Sequence, residues 1–357
     1  MQKIRVLVVE DSLTVRKRLV EVIQSDAELE VVAEGENGQQ AIDLCRSLRP
    51  DVITLDMHLP IMDGVSATEH IMGHFPTPIL IVSSSTNRGD LFKTYDALAA
   101  GAVDVLEKPS ADEVDGAWER KFLATIKLVS RIRVITHIRA RLASAGRVAV
   151  PRAAPLVYSP GKQSDPARAV IALGASTGGP GALVDVLRGI PVGTAATMLV
   201  VLHIDEPFSS AFAEWLGTQT SHSVSYARGG EPVAGSAGRV FMAPPGRHLA
   251  VSAGKLWLSA APQRHFCRPS VDVLFESLAS DCARDVVACL LTGMGKDGAE
   301  GLLALRSAGA HTIAQDEASS VIYGMPREAA LLGAADRILP LSEIGAAIAR
   351  ITARGGF

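Results

Sequence analysis

Aromatic side chains are scarce in this chain, at 4% of 357 residues, and there is little excess charge: 35 Lys and Arg face 38 Asp and Glu, a formal net charge of −3. A nucleic-acid surface needs a basic face or stacking rings, and this composition supplies neither. Cysteine is sparse as well. Cys45, Cys267, Cys282 and Cys289 form neither a CxxC pair nor a metal-finger pattern, so all four read as small buried apolar side chains. No apolar run reaches 18 residues, and the N-terminal run stops at Glu10 and Asp11, too short and too acidic for a signal peptide. These absences exclude a disulfide scaffold and direct membrane insertion, argue against nucleic acid as a partner, and predict a soluble cytoplasmic protein.

What the chain does have is length and alternation. At about 150 residues per domain it predicts roughly two domains. Residues 3–9 read as a strand, followed by a helical segment with Leu13, Val20 and Ile23 among its apolar positions. Strands are also expected at Leu29–Ala33, Asp51–Leu55, Pro78–Val82 and Val103–Leu106. Helices are expected from Asn37, as N-cap, to near Leu48, and around Leu91–Ala100. Trp118–Ile138 reads as one amphipathic helix. Residues 144–168 hold Pro151, Pro155, Pro160 and Pro166 without periodicity, the composition of a linker. A second alternation has strands at Ala169–Gly174, Thr197–Leu202, Asp285–Leu291 and His311–Ala314, with a small antiparallel insertion over Arg239–Leu258. The predicted fold is α/β, two doubly wound parallel sheets.

Ligands of such sheets bind beyond the carboxyl ends of the strands. In the first half those positions hold Glu10, Asp11, Asp56, Ser83 and Lys108. Three converging carboxylates repel one another, which a hard divalent cation such as Mg²⁺ relieves; the Lys neutralises the remainder or holds a phosphoryl group. With these residues in place, residues 1–122 resemble a response-regulator receiver domain, which is flavodoxin-like. The resemblance implies that Asp56 accepts a phosphoryl group from a histidine kinase. It also implies that Glu10, Asp11, Asp56 and the backbone carbonyl of His58 hold Mg²⁺, that Ser83 and Lys108 contact the phosphoryl oxygens, and that Lys108-Pro109 is a cis peptide. Where many receivers carry a switching aromatic on the fifth strand, this chain has Val105.

In the second half, GASTGGPG places Ser176 in a G-x-S-x-G elbow between a strand and a helix opened by Pro180. A serine nucleophile needs a base at a neighbouring strand end. Of His203, His222, His248, His265 and His311, only His203 directly follows a buried-looking strand beside that of Ser176; His248 is the second choice. Asp297, in the loop after the next strand, supplies an orienting carboxylate. The chain order Ser, His, Asp differs from that of α/β-hydrolases and disfavours a standard lipase or esterase. A rival reading stands beside it: Gly293, Gly295 and Gly298 spell GxGxxG before a helix, with Asp316 about 20 residues on, the outline of a dinucleotide site. Against this, Asp297 puts negative charge where a pyrophosphate would lie. A binding module with a vestigial triad is the other alternative.

Residues 169–357 also resemble the catalytic domain of the chemotaxis protein-glutamate methylesterases. The likeness rests on GASTGGPGAL, the His203 segment, FMAPPGRHL, RPSVDVLFESLA, LLTGMGKDGAEGL and GMPREAALLGA. It implies a Rossmann-like hydrolytic domain after a connecting helix and linker over residues 123–168. Its activity is removal of methyl groups from glutamate methyl esters on methyl-accepting chemoreceptors, with deamidation of receptor glutamines as a second activity. Ser176 is the nucleophile, His203 the base and Asp297 its orienter; the amides of Thr177 and the Met294 loop form the oxyanion hole, and the esterase needs no cofactor. The receptor helix requires an open cleft, so the unphosphorylated receiver is expected to cover Ser176 and phosphorylation to release it.

Overall fold

A computed structural model describes residues 3–84, 87–109, 116–132, 134, 169–204 and 206–353. The chain divides into two compact units, Met1–Val148 and Ala149–Phe357. The predicted linker at 144–168 lies outside the described residues.

The first unit alternates strands β1 (Ile4–Val9), β2 (Leu29–Gly35), β3 (Val52–Leu55), β4 (Ile79–Ser83) and β5 (Asp104–Glu107) with helices α1 (Leu13–Gln24), α2 (Gly38–Leu48), α3 (Gly64–His74), α4 (Arg88–Ala99) and α5 (Ala117–Val129). All pairings are parallel, in the order β2-β1-β3-β4-β5, which is the flavodoxin-like order. The helices begin where a side chain can satisfy free amides: Ser12, Asn37, Asp63 and Asn87 each accept a hydrogen bond from the third residue of the next turn.

Several expectations need correction. Leu13 is exposed, and the buried face of α1 is Arg16, Leu19, Val22 and Ile23, because the Arg16 guanidinium donates to the Glu10 carbonyl at 2.6 Å. Helix α5 stops at Val129, short of the expected Trp118–Ile138, of which residues 133 and 135–138 lie outside the described residues; its apolar face is Trp118, Phe122, Ile126 and Val129. Helix α3 was not foreseen. The cis peptide among the described residues is Arg268–Pro269, not Lys108–Pro109.

The second unit holds a seven-stranded sheet in the order β14-β13-β12-β6-β7-β9-β8. Its strands are β6 (Val170–Ala175), β7 (Thr197–Leu202), β8 (Ser223–Tyr226), β9 (Arg239–Met242), β12 (Val286–Leu290), β13 (His311–Gln315) and β14 (Arg337–Leu339), all pairing in parallel. Among the described residues, β10 (His248–Ser252) and β11 (Lys255–Ser259) form a separate antiparallel hairpin. The expected insertion is thus shorter than Arg239–Leu258: Val240 and Phe241 are buried and complete the main sheet. Helices α6 (Gly179–Arg188), α7 (Phe212–Thr220), α8 (Val271–Asp281), α9 (Ala299–Ser307), α10 (Met325–Leu331) and α11 (Leu341–Ala353) complete the unit.

The chain moves one way across this sheet from β6 to β7 and the other way from β12 to β14, so the switch point lies between β6 and β12. There the sheet core, including Val170, Ala172, Leu199, Ala288 and Leu290, gives way to polar loops. Among the described residues no helix is long and apolar enough to cross a membrane.

Candidate active site

Strands β6 and β7 and the loop after β12 bring polar residues to the carboxyl end of the sheet. Ala175 pairs with Leu202, so Ser176 and His203 are the next residues on neighbouring strands, and the His203 amide donates to the Ala175 carbonyl at 3.0 Å. The Ser176 amide donates to the Thr292 carbonyl at 3.0 Å, which ties the elbow to the loop after β12. A Cβ on Gly293 would lie 2.7 Å from the Ser176 Cβ and 2.4 Å from the Met325 sulfur; only glycine fits there. Gly298 is crowded too, with Leu290 and Val271 side-chain atoms 2.6 and 2.7 Å from its Cβ position, while Gly295 faces open space and is required by its φ of 89°; packing at two glycines and backbone conformation at the third account for the GxGxxG spacing without a phosphate cradle.

Asp297 is 2% exposed, and its Oδ2 lies 2.9 Å from His203 Nε2. The remaining capacity of this carboxylate is spent at the N-terminus of α8. Ser270 Oγ donates to Oδ1 at 2.6 Å, the Val271 amide to Oδ2 at 2.6 Å and the Asp272 amide to Oδ1 at 3.2 Å. Burial works against the charge, but His203 and these donors outweigh it and bring the Asp297 carboxyl down to about 2. Burial likewise opposes a charged His203 ring, yet the bonds to Asp297 and Cys267 raise it to about 9. With Nε2 on the carboxylate, Nδ1 is the nitrogen turned away from Asp297, and Cys267 Sγ lies 3.7 Å from it.

The other histidines have structural partners. His222 Nε2 meets the Leu187 and Ile190 carbonyls at 3.0 and 3.2 Å. His248 is buried, with Nδ1 accepting from the Ser270 amide at 3.2 Å and Nε2 facing the Pro262 carbonyl at 3.1 Å. Its place is behind α8, supporting Ser270. His311 opens β13, at the opposite strand end. Met294 is half exposed, and among the described residues the Thr177 and Met294 amides donate to no backbone carbonyl. Sequence reasoning missed Ser270 and Cys267. Ser270 precedes the apolar run of α8 in the manner of an N-cap, a legible signal; Cys267 had none, and it is half-buried beside His203 instead of in the core.

The first unit has its own polar cluster between β1 and β3. Glu10, Asp11 and Asp56 place carboxylate oxygens within 4.8 Å of one another. Lys108 Nζ lies 2.8 Å from Glu10 Oε2 and 3.0 Å from Asp56 Oδ2. Burial pushes the Glu10 carboxyl up. Burial alone would lower the Lys108 amine, but Asp56 and Glu10 outweigh it and hold the amine up. The donor set is oxygen-rich and anionic, as Mg²⁺ requires. Ser83 is fully buried, and its hydroxyl has no hydrogen-bond partner among the described residues, which suits a contact to an incoming phosphoryl oxygen. The His58 ring points to Asp90 at 2.6 Å, so only its backbone remains for the cluster. Val105 is 7% exposed, packed within the sheet.

The solved Thermotoga maritima CheB methylesterase catalytic domain matches at 31% identity and a TM-score of 0.49, covering 51% of this chain and 98% of that one. The CheB methylesterase family model matches residues 171–348, and the response regulator receiver domain model residues 6–115. The sequence is 42% identical to the protein-glutamate methylesterase/protein-glutamine glutaminase 2 of Anaeromyxobacter dehalogenans, over 98% of this chain and 97% of that protein. It is 43% identical to the protein of the same name from Pseudomonas aeruginosa, over 99% and 98%. With such identity running through both halves, the chain belongs to the CheB methylesterase family, with a receiver domain followed by a methylesterase domain.

Proposed function

We propose that this chain is a phosphorylation-regulated protein-glutamate methylesterase acting on chemoreceptors in the cytoplasm, with protein-glutamine glutaminase activity in the same site. Its parts are a receiver over residues 1–122, a connecting helix and linker over 123–168, and a catalytic domain over 169–357. The observation that carries this reading is that Ser176 and His203 follow the paired ends of β6 and β7 while Asp297 lies 2.9 Å from the His203 ring.

In this reading Ser176 Oγ attacks the carbonyl of a γ-glutamyl methyl ester and passes its proton to His203 Nδ1. Asp297 holds the resulting imidazolium through Nε2–H. The Thr177 and Met294 amides stabilise the oxyanion. Collapse of the tetrahedral intermediate returns the proton to the departing oxygen and releases methanol; water, deprotonated by His203, then frees Ser176 from the acyl-enzyme. A glutamine side chain follows the same route and releases ammonia.

In the receiver, Asp56 takes a phosphoryl group from a chemotaxis histidine kinase. Glu10, Asp11, Asp56 and the His58 carbonyl would hold Mg²⁺, which neutralises the charge of the transferring group. Lys108 pairs with phosphoryl oxygens, and Ser83 donates its free hydroxyl. Methanol release from methylated receptor membranes, with and without a small-molecule phosphodonor and Mg²⁺, tests chemistry and regulation together. The expected result is release that the phosphodonor accelerates and that stops in Ser176→Ala; persistence in that variant overturns the reading.

A further inference from the structure

Cys267 places its Sγ 3.7 Å from His203 Nδ1, the ring nitrogen turned away from Asp297. The backbone that delivers it is a tight two-residue turn. The Arg264 amide donates to the Cys267 carbonyl at 3.1 Å and the Cys267 amide to the Arg264 carbonyl at 2.8 Å. The two central residues, His265 and Phe266, have φ of 50° and 62°, a conformation usually left to Asn and Gly. The turn is pinned from outside. Arg264 pairs with Glu276 at 2.5 Å and Glu300 at 3.1 Å, and His265 Nε2 lies 3.2 Å from Asp272 Oδ2. The sulfur is therefore held beside the imidazole by a strained, anchored loop.

We propose that Cys267 Sγ and His203 Nδ1 are the protein ligands of a site for a thiophilic divalent cation, with Zn²⁺ as the best fit, and that filling it shuts off the esterase. Zinc bonds of about 2.3 Å to sulfur and about 2.0–2.1 Å to nitrogen, opened to the tetrahedral angle, put the two ligand atoms roughly 3.5 Å apart. The 3.7 Å separation already satisfies that bite to within about 0.2 Å. On the far side of the ring, Nε2–H donates to the Asp297 carboxylate, the carboxylate–histidine arrangement that fixes the tautomer and strengthens Nδ1 as a ligand. Water or the Ser176 hydroxyl completes the coordination. Both His203 and Cys267 are half-buried, so solvent reaches the site.

Binding involves no redox step. The thiol releases its proton to solvent, and so does Nδ1 of the His203 ring, which is protonated below about pH 9; the sulfur and the Nδ1 lone pair so freed each form a bond to the metal. The lone pair thus occupied is the one that must accept the Ser176 proton, so the base is lost while the metal is bound. Ligand hardness separates this pair from the acidic cluster of the first unit: Mg²⁺ prefers the oxygens of Glu10, Asp11 and Asp56, and a thiolate with an imidazole selects Zn²⁺. The inhibition half of the inference rests on the proposed role of His203 as base; the binding half does not.

The test uses the full chain, freed of metal by chelation and kept in excess Mg²⁺ to occupy the acidic cluster. Co²⁺ is the spectroscopic probe. The expected result is a thiolate-to-cobalt charge-transfer band that saturates at one equivalent, is displaced by Zn²⁺, survives Cys282→Ser and vanishes in Cys267→Ser. Ester hydrolysis, normalised to each variant's own metal-free rate, should be inhibited by Zn²⁺ in the unaltered chain. Cys267→Ser should need at least about 10–100-fold more Zn²⁺ for the same fractional loss. Cys267→Ala repeats both readings if the serine variant does not fold. A band retained without Cys267, no band at all, or equal zinc sensitivity in Cys267→Ser overturns the inference even where metal-free hydrolysis is intact. A Cys267-dependent band in a chain that hydrolyses no ester leaves the metal site standing and sinks the proposed function.

Discussion

Ser270 Oγ lies 2.6 Å from Asp297 Oδ1, so the residue that caps α8 also grips the carboxylate of the proposed triad. Removing the hydroxyl costs one charge-assisted hydrogen bond, and the Val271 and Asp272 amides remain. Ser270→Ala is expected to lower kcat by roughly 10-fold with little change in KM, since such a bond contributes about 1.5–3 kcal/mol. Loss of the cap should cost about 1 kcal/mol of stability. Steady-state kinetics and thermal melts check both, and an unchanged kcat would mean that the helix amides suffice.

Asp297→Asn keeps the shape of the site and removes the charge. Turnover is expected to fall by about 10⁴, the loss known for the equivalent change in another triad. Ester hydrolysis at the unaltered rate would refute the role of Asp297.

The pH profile follows from His203. Its ring must be neutral to accept a proton, and its pKa is raised to about 9, so kcat/KM should climb with pH from 6.5 to about 9 and then level off. Stability should move in the opposite sense. A raised histidine pKa contributes stability that is fully present below the unfolded value near 6.5 and is lost as pH rises through about 9. Rate and melting temperature measured across that interval should diverge; a rate already flat at pH 7 contradicts this.

Gly293→Ala should disturb the nucleophile without touching its chemistry. The new methyl group meets the Met325 sulfur at 2.4 Å and the Ser176 Cβ at 2.7 Å. Overpacking of this kind costs about 1–3 kcal/mol. The expected outcome is a lower melting temperature together with slower labelling of Ser176 by a fluorophosphonate. Normal values for both would show that the loop yields freely.

In the receiver, Asp56→Asn is expected to abolish phosphodonor stimulation and leave basal methanol release in place. Chelating divalent cations should have the same effect on stimulation, because the Glu10, Asp11 and Asp56 carboxylates lie within 4.8 Å of one another. Radiolabel incorporation and methanol assays decide the matter. Label retained on the variant would move the acceptor elsewhere.

Much of this was legible along the chain because it is local. Glu10, Asp56, Ser176 and His203 each follow a short apolar run, and parallel sheets place ligands at such ends. Other features escaped because their cause is not local. Val240 and Phe241 look like part of a hairpin insertion, but burial against β7 recruits them to the main sheet. Arg16 occupies a buried helix position that hydrophobic periodicity denies to a charge, since its partner is the Glu10 carbonyl.

The residues and the strand ends on which they stand are written in the order of the chain, where apolar periodicity, caps and the small residues of the Ser176 elbow act over a few positions. Distances between strand ends are not written there. Folding brings Asp297 from 94 residues away onto the His203 ring, sets the N-terminus of α8 behind it and lays Cys267 against its other nitrogen, 64 residues along. These contacts follow from strand order and from the burial of β6, β7 and β12 against one another, which only the packed sheet specifies.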